Sequence, residues 1–231
     1  MEKISIIIPA NNEETFILEC LKRLQASLEN VKLDYEIILV ADNCQDDTVK
    51  IAKNFNCKTL QVNFRNRSKA RNFGFLHSIG DLLIFLDADT LVSKGFIYKT
   101  VETLKNSGKS VIFYKQNQIE KNSIAKYYFK LINWISKYRP TFTPVISCTR
   151  VYFKNHCFDN QLKSLEDLIF VNEAFSQKET NLCNEEIFTS IRRYTKFGLF
   201  YSLFLLLGLL LNPYKFEWRT INGNKLERTR I

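Results

Sequence analysis

Short apolar runs alternate with amphipathic stretches along the first half of the chain. Four runs, at residues 3–10, 35–41, 58–62 and 82–86, have the length and β-branched or apolar content typical of strands. Each of the first three is followed by a polar loop and then by a helical pattern. Strands that alternate with helices predict a parallel, right-handed α/β sheet whose loops converge on one edge. The run at 82–86, LLIFL, predicts a strand buried on both faces.

The second half of the chain continues with a predicted helix at 96–104 and a strand at 110–114. A further helix is predicted from six residues at helical spacing, namely Ile124, Tyr127, Leu131, Trp134, Ile135 and Tyr138. Lys126, Lys130 and Lys137 lie among them. Such a stripe is typical of a helix that packs on a core, but Trp and Tyr beside Lys are also typical of a membrane surface. Both interpretations stay open at this point.

An uncharged, apolar segment occupies residues 197–214. It is slightly shorter than the roughly 20 apolar residues that span a bilayer. Basic residues flank it on both sides, and basic flanks prefer the cytosolic side, so a shallow or re-entrant insertion is favoured over a full crossing. The alternative is a helix within a soluble core.

The composition of the 231 residues is globular, since 45% are hydrophobic and 25% are charged. The net charge of +9 favours phosphorylated substrates, an anionic membrane surface or nucleic acid as partners. The basic residues are scattered without a zinc finger, an RNA-recognition signature or a basic helix, so we expect no nucleic acid. Six cysteines without a C-x-x-C pair, and no recognisable secretory signal, favour reduced thiols and a cytoplasmic location.

Two carboxylates, Asp87 and Asp89, directly follow the buried run at 82–86. Open α/β sheets bind ligands beyond the carboxyl ends of their strands. A carboxylate pair there suits a hard divalent cation that also binds phosphate oxygens of a substrate. A plain turn is the alternative, because Asp-Ala-Asp-Thr also ends strands. The sequence has no Gly-rich phosphate-binding motif, so a metal would have to bind the phosphates.

A predicted helix around Arg71 precedes this strand. The guanidinium of Arg71 suits a diphosphate because it can hold two phosphate oxygens at once, and the alternative is a solvated helix charge. Four apolar residues of this region are predicted to pack on the sheet: Phe73, Phe75, Leu76 and Ile79.

Three segments, SIIIPANNEE, EIILVADNCQDDT and ARNFGFLHSIGDLLIFLDADT, resemble in order and spacing the nucleotide-sugar half of the family 2 glycosyltransferases. The resemblance covers roughly the first hundred residues and implies an α/β GT-A fold, with a mostly parallel sheet flanked by helices. It implies a catalytic domain at 1–195, divided into a nucleotide-sugar-binding half at 1–90 and an acceptor half at 91–195. A membrane-associating apolar helix at 196–214 and a basic tail at 215–231 would follow.

The resemblance also implies roles for residues of the first half. Pro9, Ala10 and Glu13 would line the nucleoside pocket, and Asp42 would contact the base. Many members carry two aspartates after the second strand where this chain has Ala41 and Asp42. Simple strand-ending or turn-capping roles are the alternatives for Pro9, Ala10 and Asp42. The residues implied at the diphosphate and at a Mg²⁺ or Mn²⁺ ion are Arg71, Asp87 and Asp89.

In the second half, Glu166 and Asp167 match the E-D pair of the family. By that match Asp167 is the catalytic base, although carboxylates also stabilise the first turn of a helix. Displacement at an anomeric carbon needs a carboxylate to take the proton of the acceptor hydroxyl and a cation at the leaving diphosphate. Arg192 and Arg193 resemble arginines that reach the diphosphate in relatives, and basic residues beside a membrane segment are the alternative.

These roles predict a metal-dependent, inverting glycosyltransferase that uses a nucleotide-diphosphate sugar. The acceptor would be a glycan or a lipid-linked molecule at the cytoplasmic face of the membrane. A membrane-associated scaffold that binds the donor without turnover is the rival from another class, although it would need none of the four carboxylates. A sugar nucleotidyltransferase is disfavoured because the loop PANNEE lacks glycine.

Overall fold

The structure is a computed structural model that describes residues 3–29, 31–141, 143–162 and 165–192. Its strands are β1 (Lys3–Ala10), β2 (Asp34–Asp42), β3 (Lys58–Val62), β4 (Leu82–Leu86), β5 (Thr90–Val92), β6 (Val111–Gln118), β7 (Val145–Thr149) and β8 (Thr180–Thr189). Its helices are α1 (Glu14–Leu28), α2 (Thr48–Lys53), α3 (Arg67–Leu76), α4 (Phe96–Ser107), α5 (Ser123–Ser136), α6 (Arg150–Asn155) and α7 (Glu166–Ser176). The strands predicted at 3–10, 58–62 and 82–86 are confirmed at those bounds.

The described strands form one mixed, mostly parallel sheet in the order β3-β2-β1-β4-β7-β6-β8-β5. The first four strands in this order run parallel, as the sequence pattern predicts. β7 is antiparallel to both β4 and β6, and β5 is antiparallel to β8. The carboxyl ends of β1, β2 and β4 therefore lie side by side at one edge of the sheet.

Helices cover both faces of the sheet, so β4 is buried along its whole length, as predicted. Alternate strand residues divide between two apolar cores. Ile6, Leu39 and Ile84 face α1, α2 and α4, whereas Ile7, Val40 and Phe85 face α3, α6 and α7. Burial on both faces fixes the position of the strand ends, where the polar loops begin.

The helix α3 approaches the sheet closely through small residues rather than through its large apolar ones. Phe73 and Phe75 pack partly against the core, but Leu76 and Ile79 are 55% and 68% exposed. The prediction that Leu76 and Ile79 pack on the sheet is therefore wrong. Gly74 allows this close approach, because its bare backbone lies directly over Ile7 of β1 and Val40 of β2. Leu76 is the last residue of α3, and Ile79 lies in the loop after it.

A Gly74→Ala substitution is expected to destabilise the protein by about 1–3 kcal/mol, the usual range for overpacking. The new Cβ would lie 2.4 Å from Ile7 Cγ2 and 3.1 Å from Val40 Cγ2, in a region where both neighbours are held by the sheet. Gly95→Ala is the matched control, since the nearest atom to its Cβ would be 3.9 Å away. Urea unfolding of the two variants should show a lower midpoint for Gly74→Ala alone.

The predicted aromatic helix forms as α5, but its stripe does not face the core. Of the six stripe residues only Ile135 is buried, and the others are exposed. Packing on the core is therefore the wrong interpretation for those five residues. Within the residues that the structure describes, no helix is both long and apolar enough to cross a bilayer. The apolar segment at 196–214, the basic tail at 215–231 and Arg193 lie outside those residues.

Candidate active site

A cleft of about 510 Å³ opens at the carboxyl ends of β1, β2 and β4. Five of the residues singled out from the sequence line it, and they are Pro9, Ala10, Glu13, Asp42 and Asp87. The topology explains the convergence, because parallel neighbours deliver their following loops to one edge. Arg65 and Arg67 also line the cleft, and the sequence patterns gave neither of them a role.

The carboxylate of Asp42 organises the loop that carries Arg65 and leads into α3, which begins at Arg67. Its Oδ1 accepts hydrogen bonds from the backbone N–H groups of Phe64 at 2.6 Å and Arg65 at 2.8 Å, and its Oδ2 accepts one from Asn66 at 2.9 Å. Asn66 in turn caps α3 by accepting from the N–H of Lys69. A carboxylate offers about four acceptor directions, so these bonds leave room for a further donor such as a base.

A buried arginine joins the two acidic motifs. Arg71 donates from Nη2 to Asp87 Oδ1 at 2.7 Å and from Nη1 to Glu166 Oε1 at 2.8 Å. Arg71 and Glu166 are each only 1% exposed. The guanidinium also lies 5.1 Å from the centre of the Phe158 ring. Its fork is therefore directed at two carboxylates, and it positions the end of β4 against the start of α7.

Arg67 lies one helical turn before Arg71 and reaches the cleft. Its Nη1 is 3.6 Å from Glu166 Oε1, and its side chain is 35% exposed. Residues four apart share one face of a helix, so this i,i+4 relation to Arg71 was the signal available in the sequence. A partly exposed guanidinium on the cleft wall has donors to offer to an anionic ligand.

Arg192 links the last described residues to the cleft. Its Nη2 donates to both carboxylate oxygens of Glu13 at 2.5 Å and to Asp89 Oδ2 at 3.1 Å. The guanidinium lies 4.7 Å from the centre of the Phe16 ring. Although partial burial opposes its charge, the hydrogen bond to Glu13 and the charge of Asp89 raise the pKa of Arg192. Glu13, Asp89 and Arg192, predicted separately from the sequence, are thus in direct contact.

Asp167 lies in the first turn of α7, next to Glu166, which accepts a hydrogen bond from Arg71. Its Oδ2 accepts a hydrogen bond from the backbone N–H of Thr143 at 3.1 Å. Desolvation and then repulsion from Glu166 raise the pKa of Asp167 to about 6, against the opposing charges of Arg71 and Arg67. A carboxyl with this pKa is ionised at neutral pH and more basic than an ordinary aspartate, which suits a general base.

The pH dependence of kcat/KM should have an acidic limb near pH 6 if Asp167 is the base. Protonation removes the lone pair that would accept a proton, so the rate should fall about tenfold per pH unit below that value and level off above it. Initial rates between pH 4.5 and 8 would show the limb. A limb near pH 4 would instead indicate an ordinary, unperturbed carboxylate.

The acidic pair at the end of β4 fits a metal that is shared with a ligand. Asp87 and Asp89 supply hard oxygen donors, and Asp89 already attracts the cationic Arg192. Within the described residues, no group of three or more acidic, histidine or cysteine side chains is arranged to hold a metal alone. One or two carboxylates together with substrate phosphate oxygens and waters are the usual ligands of Mg²⁺ in proteins.

Sequence relatives are found among bacterial glycosyltransferases. Residues 5–169 match the family model described as glycosyl transferase family 2. The poly(ribitol-phosphate) beta-N-acetylglucosaminyltransferase TarS of Staphylococcus aureus is 25% identical over 188 residues, which cover 76% of this chain and 33% of TarS. An undecaprenyl-phosphate 4-deoxy-4-formamido-L-arabinose transferase of Proteus mirabilis is 27% identical over 179 residues, covering 74% of this chain and 55% of the relative. The chain thus spans about a third of TarS and about half of the second relative.

Solved structures share the fold. TarS residues 1–349 in complex with UDP-GlcNAc superpose with a TM-score of 0.69 at 23% identity, covering 83% of this chain and 59% of that one. The glucosyl-3-phosphoglycerate synthase of Mycobacterium tuberculosis, solved with Mn²⁺, UDP and glucosyl-3-phosphoglycerate, gives 0.67 at 15% identity, with 87% and 78% covered. The GT-A-like fold expected from the three sequence segments is confirmed. Because the family model matches well over half of the sequence, the chain belongs to glycosyl transferase family 2.

Proposed function

We propose that the chain is a metal-dependent, inverting glycosyltransferase that moves a sugar from a nucleotide-diphosphate donor to an acceptor hydroxyl. The observation that carries the proposal is the Arg71 fork, which joins Asp87 after β4 to Glu166 beside Asp167. A donor-binding pair and a candidate base thereby lie at one edge of the sheet, next to a cleft of nucleotide size. The catalytic domain would comprise residues 1–195, with its donor half at 1–90 and its acceptor half at 91–195.

The donor would bind with its nucleoside against Pro9, Ala10 and Glu13, and its base beside Asp42. UDP-GlcNAc and UDP are the ligands named for the TarS and mycobacterial structures, which supports a uridine diphosphate donor here. Arg65 and Arg67 bring positive charge to the same wall of the cleft. We assign the diphosphate to the part of the cleft that Arg65 and Arg67 line. Arg192 and Arg193 are further candidates for contact with the diphosphate, and Arg71 would act through Asp87, to which it donates a hydrogen bond.

Asp87 and Asp89 would hold Mg²⁺ or Mn²⁺ together with the diphosphate of the donor. The bound ion would neutralise the charge that grows on the leaving diphosphate. The mycobacterial relative was solved with Mn²⁺ and UDP, which supports a divalent cation in this fold. Arg192 now donates to Asp89 Oδ2, so a metal would bind Asp89 through Oδ1 or replace this guanidinium at Oδ2.

Asp167 would take the proton of the acceptor hydroxyl as the acceptor oxygen bonds to the anomeric carbon. The bond from that carbon to the phosphate oxygen breaks in the same displacement, so the configuration inverts and the nucleoside diphosphate leaves. Glu166 would position the base, since its carboxylate is held by Arg71 and by Arg67. No covalent sugar intermediate is needed.

The acceptor would be a glycan or a lipid-linked molecule at the cytoplasmic face of the membrane. The names of the two sequence relatives contain poly(ribitol-phosphate) and undecaprenyl-phosphate, one a polymer and the other a lipid phosphate. Segment 197–214, apolar and flanked by basic residues, would bring the chain to the surface where such acceptors lie. Cell-envelope polysaccharide or glycolipid synthesis is the process this suggests.

Incubation of the full chain with a panel of UDP-sugars, Mn²⁺ and lipid-phosphate or glycan acceptors tests the proposal. We expect release of UDP that EDTA abolishes and Mn²⁺ restores, and an Asp89→Ala variant should need a higher Mn²⁺ concentration for half-maximal rate. Donor binding without turnover, measured by calorimetry in the presence of lipid-phosphate and glycan acceptors, would favour the scaffold instead. Release of pyrophosphate from a nucleoside triphosphate and a sugar phosphate would indicate a nucleotidyltransferase.

A further inference from the structure

One face of α5 exposes a continuous row of aromatic and aliphatic side chains. We call this row the α5 stripe, and it consists of Ile124, Tyr127, Leu131 and Trp134 on α5 together with Tyr138, two residues beyond its last residue. Tyr127 is 71% exposed, Trp134 58% and Tyr138 68%. The rings of Trp134 and Tyr138 contact each other edge to face, with centroids 5.6 Å apart. Large exposed side chains that adjoin one another on a single helix face are typical of a contact surface.

Lysines lie beside the α5 stripe, with Lys126 and Lys130 on α5 and Lys137 directly after it. Lys126, Lys130 and Lys137 are all exposed, and Lys130 Nζ lies 5.8 Å from the centre of the Tyr127 ring. The sequence of α5, SIAKYYFKLINWIS, contains no acidic residue. The surface therefore combines apolar area, amphipathic rings and positive charge, the combination found in helices that lie in the headgroup region of anionic membranes.

The opposite face of α5 anchors the helix to the catalytic domain. Ala125, Phe129 and Ile132 pack in a small core that also contains Ile191. Ile191 directly precedes Arg192, which contacts Glu13 and Asp89 at the cleft. The α5 stripe is therefore separated by the thickness of the helix from Ile191, which is followed directly by Arg192 of the candidate active site.

We infer that the α5 stripe binds the surface of an anionic bilayer, with its aromatic side chains among the headgroups and its lysines beside lipid phosphates. Charge complementarity decides between this occupant and the chain's own apolar segment at 197–214. That segment carries no charge, so it could cover the rings but would give Lys126, Lys130 and Lys137 no counter-charge. A bilayer supplies both the apolar region and the anions.

The contact would orient the proposed reaction, and in this respect the inference rests on the proposed function. Beyond α5 the chain passes through Thr141, whose hydroxyl bonds Ser136, to Thr143, whose N–H bonds Asp167. The start of α7 is thus tied to the end of α5. A lipid-linked acceptor in the same surface would meet the candidate base from the side on which the helix lies.

Tryptophan fluorescence of the full chain gives a direct test, because the sequence has two tryptophans and only Trp134 lies in the α5 stripe. In a Trp218→Phe variant, addition of phosphatidylglycerol vesicles should shift the Trp134 emission to the blue, and brominated lipid should quench it. Phosphatidylcholine vesicles should give a much weaker effect. The experiment contains no donor and no acceptor, so its result is independent of whether sugar transfer occurs.

A charge variant completes the test. A Lys126→Gln, Lys130→Gln, Lys137→Gln triple variant should bind phosphatidylglycerol vesicles about 100-fold more weakly, since each lysine near an anionic surface is worth about fivefold. Lys22→Gln, Lys53→Gln and Lys105→Gln, three exposed lysines on α1, α2 and α4, form the matched control. Three results would each overturn the inference. The vesicles bind the chain but the Trp134 emission does not change, the emission is already shifted to the blue without lipid, or the vesicles do not bind the chain at all.

Discussion

Transfer by an Asp167→Asn variant is expected to be about 100- to 10 000-fold slower than transfer by the unaltered chain, the range by which general bases accelerate reactions. The amide keeps the size of the side chain and can still accept from the N–H of Thr143, but it cannot take the proton of an acceptor hydroxyl. The affinity for UDP and Mn²⁺ should be nearly unchanged, because Asp167 acts on the acceptor. Steady-state rates and UDP titration by calorimetry would measure the two effects separately.

Asp34→Asn provides the matched control for this substitution. Asp34 is an exposed aspartate at the amino end of β2, opposite the edge that carries the cleft, so its loss should leave transfer unaltered. The residual activity of Asp167→Asn should also lose the acidic limb near pH 6, since the group that titrates there has been removed. A variant that retains most of its activity, or one that retains the limb, would remove Asp167 from the role of base.

Local patterns sufficed for the half of the fold that carries the donor cleft. The run LLIFL is too apolar for a strand with a solvent-facing side, and the structure buries every residue of β4. Asp87 and Asp89, which follow this run, therefore had to lie at the carboxyl ends of the strands. The chain direction and the parallel order of β1, β2 and β4 leave no other place for them. The antiparallel insertion of β7 beside β4 was not predicted, since pairing between strands that lie 59 to 67 positions apart leaves no periodicity in either segment.

Side-chain partners were harder to predict than positions. Arg71 meets Glu166 across 95 positions, and Arg192 meets Glu13 across 179, so neither pair has a local signal. The helical spacing of α5 predicted the element but not which side faces solvent, because Ala125, Phe129 and Ile132 form a second apolar row that competes with the α5 stripe. Tertiary packing selected the row that the protein buries.

An Arg71→Met substitution is expected to destabilise the protein by about 3–5 kcal/mol, the usual cost of leaving a buried charge without its partner. Asp87 and Glu166 would both lose the guanidinium that now lies within 2.8 Å of each. Arg23→Met is the control, because the Arg23–Glu19 pair on α1 is about half exposed and such pairs contribute at most about 0.5 kcal/mol. Denaturant unfolding at pH 7 would measure the difference between the two variants.

The Arg71→Met variant also distinguishes two roles of Arg71. One is the pair of contacts with Asp87 and Glu166 that the structure shows, and the other is the diphosphate contact expected from the sequence. The positive charge of Arg71 lowers the pKa of Asp167, so its removal should raise that pKa above about 6 and move the acidic limb of kcat/KM to higher pH. A residue that bound only the diphosphate would, when replaced, raise the KM for the donor while leaving both the limb and the stability in place. Because Arg71 is 1% exposed and directed at two carboxylates, we expect the first result. Loss of donor affinity without loss of stability would instead show that the guanidinium turns to the donor when the donor binds.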